Sequence, residues 1–345
     1  MKKSIILALS LTLSVATFAQ QLATLNHNGN TTAYYGMNAL QQAHAAAVNG
    51  DIITLSSGIF NSVDITKAVT IRGAGAWIDT NGNSNTILYN DFTLNVPEDT
   101  MFNLVIEGVY AMNKINMASV YNPLFRKCHF VTFGDFSNGL MRNANFENCI
   151  VEIWRNYKST NTSPWPAQGT QFINSVVLST NNGVNVGEDP ATFINCILAQ
   201  NPNSSNMLGR LFQNCIMYYN YSSYNSPTNN SSTAFNCMFV NTNTSYPNTS
   251  LFSDMANHVL WSKIGMNTVF KTFDGTYGST TTFELQDSIA ANYLGTDGTQ
   301  IGIYGGFHPF SPKVTSPVIK SINVAQRNNS EGKLEVNIEM VTEDE

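Results

Sequence analysis

Side chains able to do chemistry are few in this chain, and most stand alone. Glu188-Asp189 pairs two carboxylates, as general acid–base work requires, but Pro190 follows and the triplet reads as a turn. His129 comes directly after Cys128 in a strand-like run, where a structural histidine accounts for it better than a base does. Asp297-Gly298 has the Asp–Gly step of a Ca2+ loop, yet no neighbouring oxygen ligands accompany it and a turn is favoured. Cys-x-x-Cys and His-x-x-x-His spacings are missing, as are Gly-x-Ser-x-Gly, a phosphate-cradling loop and a dinucleotide fingerprint. No metal ligands and no catalytic residues are therefore assigned.

Binding chemistry is better represented. Trp154, Arg155, Tyr157, Lys158 and Trp165 place three aromatics and two cations between positions 154 and 165. A loop projecting such side chains could stack on sugar rings and hydrogen-bond to their hydroxyls, which makes these five the candidate glycan-binding residues. The competing reading is that the aromatics cover a neighbouring sheet face.

Composition narrows the function classes. Charged residues are 12% of the 345 and hydrophobic ones 43%, so the charged share is about half that of an average soluble protein. Asparagine fills the difference with 45 copies. A charged disordered tail and a coiled coil both need Glu and Lys in quantity and are excluded. The net charge of −6 argues against a nucleic-acid partner, which requires a basic footprint. Lys2 and Lys3, the apolar residues 5–15 and the small residues Thr17 and Ala19 together read as an export signal cleaved after Ala19. The apolar run is too short to span a bilayer, no Cys follows the cleavage point, and no other stretch is long enough to cross. The expected location is therefore the periplasm, the cell surface or the medium.

An internal repeat carries the fold assignment. Phe125-Arg126-Lys127-Cys128, Phe146-Glu147-Asn148-Cys149, Phe172-Ile173-Asn174-Ser175, Phe193-Ile194-Asn195-Cys196 and Phe212-Gln213-Asn214-Cys215 share one pattern, and Ala234-Phe235-Asn236-Cys237 fits with its aromatic moved by one place. The Cys positions are 21, 26, 21, 19 and 22 residues apart, and the residue two places on is always apolar. A period near 21 with short β-like runs suits one coil of a parallel β-solenoid, in which equivalent residues stack about 4.8 Å apart. Phe and Cys should face inward, and Asn should occupy a tight turn in the left-handed region. All five cysteines share one register, where parallel Cβ vectors disfavour pairing, so they read as buried free thiols.

The segment ALQQAHAAAVNGDIITLSSGIF, followed by ITKAVTIRGAG, resembles the start of right-handed parallel β-helix proteins of the pectin-lyase-like superfamily, in the form found in exported bacterial proteins. The Phe-x-Asn-Cys ladder resembles the later coils of that family, and GTDGTQIGIYGGFHPF looks like its closing segment. The resemblance implies an all-β right-handed parallel β-helix with an N-terminal capping helix, here over residues 37–49 and ended by Gly50, and a C-terminal β extension. It leaves the activity open, since lyases, hydrolases, esterases and adhesins share the fold. It also implies where an enzyme's site would lie: on an outer sheet face, with Ca2+-binding carboxylates and a basic residue in a lyase, or two or three Asp in a hydrolase. The coils do not supply them. Two places before Cys stand Arg126, Glu147, Ile173, Ile194, Gln213 and Phe235; three places after stand Val131, Glu152, Leu178, Ala199, Tyr218 and Val240. Neither series holds two carboxylates in adjacent coils, although Arg126 and Glu147 could form a surface ion pair.

One more column is informative. His129, Ile150, Val176, Ile197, Ile216 and Met238 directly follow Cys (or Ser175) and should point outward as an apolar stripe, which loops or the C-terminal segment must cover. The expected organisation is a signal peptide over 1–19, an N-terminal segment and helix over 20–50, the β-helix over 51–270, a closing segment over 271–312, and a β extension with an acidic tail over 313–345. Within the extension, residues 334–340 alternate polar and apolar and predict a strand. The functional expectation is an exported, monomeric, non-catalytic protein that binds a polysaccharide or cell-surface glycan, or mediates adhesion, without a cofactor. The alternative is a polysaccharide lyase or glycoside hydrolase with a divergent site, and a lyase would bring Ca2+.

Overall fold

The computed structural model describes residues 21–77, 85–98, 101–134, 139–155, 167–178, 191–200, 209–219, 232–241, 252–256, 259–262, 266–274, 277–278, 281–311, 318–324 and 336–341. The chain is mostly β, and its parallel coils stack into a β-solenoid. Two long sheets form its walls, one of 12 strands and one of 13, each joining strands that are distant in sequence. The repeat is the register of the first sheet: Phe125, Phe146, Phe172, Phe193, Phe212 and Ala234 stand opposite one another in successive parallel strands. Their rings stack down the interior with centroids 4.8, 4.5, 4.9 and 5.3 Å apart. Ala234 ends the stack; Phe235 instead takes the outward register of Gln213.

The residue before each Cys turns the corner between sheets. Asn148, Asn174, Asn195, Asn214 and Asn236 have φ between 46° and 55°, and Lys127 takes the same conformation at 52°. Asn tolerates this left-handed region better than other non-glycine residues, which is why it recurs. All five cysteines are free and buried. The thiols of Cys149, Cys196, Cys215 and Cys237 each donate to the carbonyl of the Phe in an earlier coil, at 3.2–3.4 Å. Ser175 makes the same bond through its hydroxyl, 3.1 Å to Phe146 O, so the exchange preserves the ladder.

The helix is shorter than its alanine-rich sequence suggests, Ala39–Ala46, and lies against the first strands. Asp51 explains the early stop: its carboxylate accepts the Val48 N–H at 2.8 Å and draws the chain out of the helix. Gly50 is therefore not the residue ending the helix; it has φ +91° on the way to the next strand, and a Cβ there would meet the Phe102 ring at 2.7 Å. At the other end, Val318–Val324 pairs antiparallel with Val336–Val341, giving the expected strand a partner. Residues 1–19, which the sequence reads as an export signal, lie outside the described residues.

Candidate functional site

Outward residues of the second sheet form two columns. Ile150, Val176, Ile197, Ile216 and Met238 stand in register along the first. Exposed, such a column would be a large apolar patch, yet each of these residues is buried. The described residues between 266 and 311 cover them as a strap that brings Val269, Phe270, Phe273, Phe283, Leu285, Ile289, Ile301, Ile303 and Phe310 into one cluster with the stripe. The strap is hydrophobically driven and polar in register. Asn174 Nδ2 donates to Ile303 O at 2.8 Å and to Gly305 O at 2.6 Å. Asn148 bonds His308 O and the Ser311 N–H, Asn214 bonds the Thr296 hydroxyl and N–H, and Asn236 reaches Leu294 O. The turn asparagines thus serve twice, shaping the coil and reading the strap backbone. Strap numbers fall as coil numbers rise, so the chain runs back along the solenoid. Gly306 (φ 78°) passes so close to the Asn195 amide that a side chain would not fit.

A polar cluster lies where the strap meets the earlier coils. His129 Nε2 is 2.7 Å from Glu152 Oε1, one coil away. The Tyr110 ring stacks on the imidazole at 4.6 Å, and Tyr277 of the strap meets it edge-on at 5.5 Å. Burial, with the Glu152 charge adding to it, pushes the Tyr277 phenol up to about 12, while the Trp77 indole N–H bonded to it opposes the shift. Tyr110 is raised for the same two reasons. Both phenols stay protonated through the physiological range as donors. The His129 side chain is only 9% exposed against 30% for Glu152, so the carboxylate is the open edge of the pair. Each residue could have been found by reading the two outward columns diagonally, since His129 and Glu152 occupy them in adjacent coils. Tyr277 carried no such signal.

The five candidate glycan residues do not form an exposed cluster in the described part of the chain. Trp154 is fully buried inside the solenoid, edge-on to Phe172 at 5.0 Å, and cannot stack on a sugar. It stands in register with Phe133, the inward residue one coil earlier. Arg155 follows it, partly buried, and bonds back to Phe133 O through its N–H. Tyr157, Lys158 and Trp165 lie outside the described residues, as do Glu188 and Asp189. Asp297 is a turn: its carboxylate accepts the Thr299 N–H and hydroxyl at 3.0 and 2.7 Å, which lowers its pKa. Arg126 and Glu147 do pair, 3.0 Å apart and both partly exposed, a contact worth little. Among the described residues no three His, Cys, Asp or Glu converge as a metal site needs, and no helix is long and apolar enough to cross a membrane.

No known family matches the chain, and neither a curated protein nor a solved structure matches it.

Proposed function

We propose that this is an exported, non-catalytic β-solenoid that binds a polysaccharide or cell-surface glycan, or mediates adhesion through one. A single observation carries the reading. The outer face on which a polymer-degrading solenoid would set its carboxylates is aliphatic across Ile150, Val176, Ile197, Ile216 and Met238, and the chain's own strap covers it. A depolymerase needs that face open to a long substrate and charged. The likeness of the N-terminal segment and the repeats to the pectin-lyase-like superfamily, and the signal-like residues 1–19, support the envelope setting.

The test is an activity screen of the full chain against polyuronates and neutral polysaccharides, with Ca2+ and with chelator. Unsaturated-product absorbance and new reducing ends would both be followed. The reading expects no turnover; turnover on any substrate sinks it, and Ca2+ dependence would point to a lyase. N-terminal sequencing of protein recovered outside the cytoplasm should begin at Gln20.

The enzyme reading has one observation in its favour, the His129–Glu152 pair between two tyrosines. Such a pair can move a proton. If turnover is found, His129→Ala should abolish it.

A further inference from the structure

The outward columns do not end where the strap does. Register carries the first column back from Ile150 through His129 and Tyr110 to Ile87 and Ile59. Beside it, Asn61 pairs with Tyr89, and Tyr89 and Met112 each directly follow the paired inward residues Leu88 and Ala111. These six positions, Ile59, Asn61, Ile87, Tyr89, Tyr110 and Met112, form the same face as the strap-covered stripe, continuous with it; the described strap residues meet its near edge through Tyr277 on His129 and Phe310 on Trp77. The open part is substantially exposed: Ile59 43%, Tyr89 46% and Met112 41%.

Under the strap the first column is apolar from Ile150 to Met238, while the second mixes Ala199 and Val240 with Tyr218 in register between them. On the open rungs a tyrosine stands in each column, Tyr110 in the first and Tyr89 in the second, and Tyr89 is exposed. Along one margin runs a row of side-chain amides, with Asn61 Nδ2 donating to Asn38 Oδ1 at 2.7 Å and Asn90 Nδ2 to Asn61 Oδ1 at 3.5 Å. None of the six residues is charged. Apolar C–H faces of sugar rings suit tyrosine rings, and sugar hydroxyls suit amides, which both donate and accept. A parallel stack repeats such a pair of features every 4.8 Å or so, close to one sugar unit along an extended chain. The covered rungs show that the same combination, an apolar column flanked by asparagine amides, already holds a length of polypeptide, turned and partly helical, along this face.

We infer that the open rungs around Tyr89 are the glycan-binding platform, and that the ligand is a neutral, extended polysaccharide lying along the solenoid. This rests on the binding reading above and moves the site away from Trp154, whose ring is inside the coil.

The test is affinity electrophoresis of the full chain in gels containing hydroxyethylcellulose, galactomannan, mixed-linkage β-glucan, soluble starch or polygalacturonate. Tyr89→Ala, Tyr89→Phe and Met112→Ala would be run beside wild type, with circular dichroism to confirm each fold. Phe307→Ala serves as control, because Phe307 is 92% exposed on the strap turn and off the platform. The platform predicts retardation of wild type by at least one neutral gel, weakened on the order of tenfold in Tyr89→Ala by loss of the ring contact. Tyr89→Phe should stay close to wild type, Met112→Ala should be weakened, and Phe307→Ala should be unchanged. Equal retardation of wild type and a folded Tyr89→Ala overturns the platform and leaves the glycan reading standing. An equal loss in Phe307→Ala overturns it too, and retardation by polygalacturonate alone overturns the neutral ligand. No retardation of wild type in any gel overturns both readings.

Discussion

Asn174 joins the coil to the strap, and its removal tests whether the strap is held as described. The residue is 1% exposed, takes φ 46°, and donates through one amide nitrogen to both Ile303 O and Gly305 O. Glycine keeps the left-handed backbone at no steric cost while deleting the amide. Two neutral hydrogen bonds are worth about 0.5–1.5 kcal/mol each, and the carbonyls left behind under the strap add a desolvation cost. Asn174→Gly should therefore weaken strap docking by about 2 kcal/mol, and Asn174→Ala by about 1 kcal/mol more, because alanine resists the left-handed region. Hydrogen exchange read by mass spectrometry resolves this locally. The Phe310 N–H, bonded to Ile303 O at 2.7 Å, and the Gly302 N–H, bonded to Asn214 O at 3.0 Å, should lose protection about 30-fold in the glycine variant. Amides inside the coils, such as Cys149 N–H on the Ser175 hydroxyl, should change far less. A loss under about threefold at the strap, or an equal loss in strap and coil, would refute the reasoning.

Three further outcomes follow from the packing and the titrations. Phe172→Ala or Trp154→Ala should destabilise the fold by about 3–5 kcal/mol in denaturant titrations, since Phe172 is stacked between Phe146 and Phe193 and Trp154 meets it edge-on; a loss below 1 kcal/mol would show that the rings are not in the interior. All five thiols are buried and free, and burial raises those of Cys149, Cys215 and Cys237; the native protein at pH 8 should react with no thiol reagent until denaturant exposes the interior. Burial, followed by the Lys67 charge, lowers His44 to about 4; a depressed folded value contributes stability present above pH 6.5 and lost as pH falls through 4. An NMR titration should show that midpoint, with the N-terminal helix loosening over the same window, and a midpoint near 6.5 would contradict the burial.

The repeat was legible because stacking makes it so. A residue type suited to one place in a coil is suited to the same place in the next, and the Phe interior, the left-handed Asn corner and the buried thiols all follow from that register. The outward stripe was legible by the same alternation, and it required the cover that the strap supplies. Trp154 was misplaced because the 26-residue spacing after Cys149 reads as a projecting loop, whereas the strand Ile150–Trp154 continues through it. Counting five places after Cys puts Trp154 level with Phe133 and would have placed it inside. The path of the strap left no periodic trace, since its contacts to the coils span up to 163 residues of sequence and depend on a face that exists only once the solenoid has formed. The His129–Glu152 pair was half visible, each partner lying in an aligned column, but two adjacent outward residues, Glu152 and Ile153, break simple alternation along that strand.

The division of one sheet face into a covered and an open part is the claim on which site and function both depend, and hydroxyl-radical footprinting of the full chain measures it directly. Ile150, Val176, Ile197, Ile216 and Met238 should be labelled no faster than the interior Phe ladder, while Ile59, Tyr89 and Met112 should be labelled as surface residues. Equal labelling of the two sets would mean that the strap does not seat on the stripe, and the account of this face would fail.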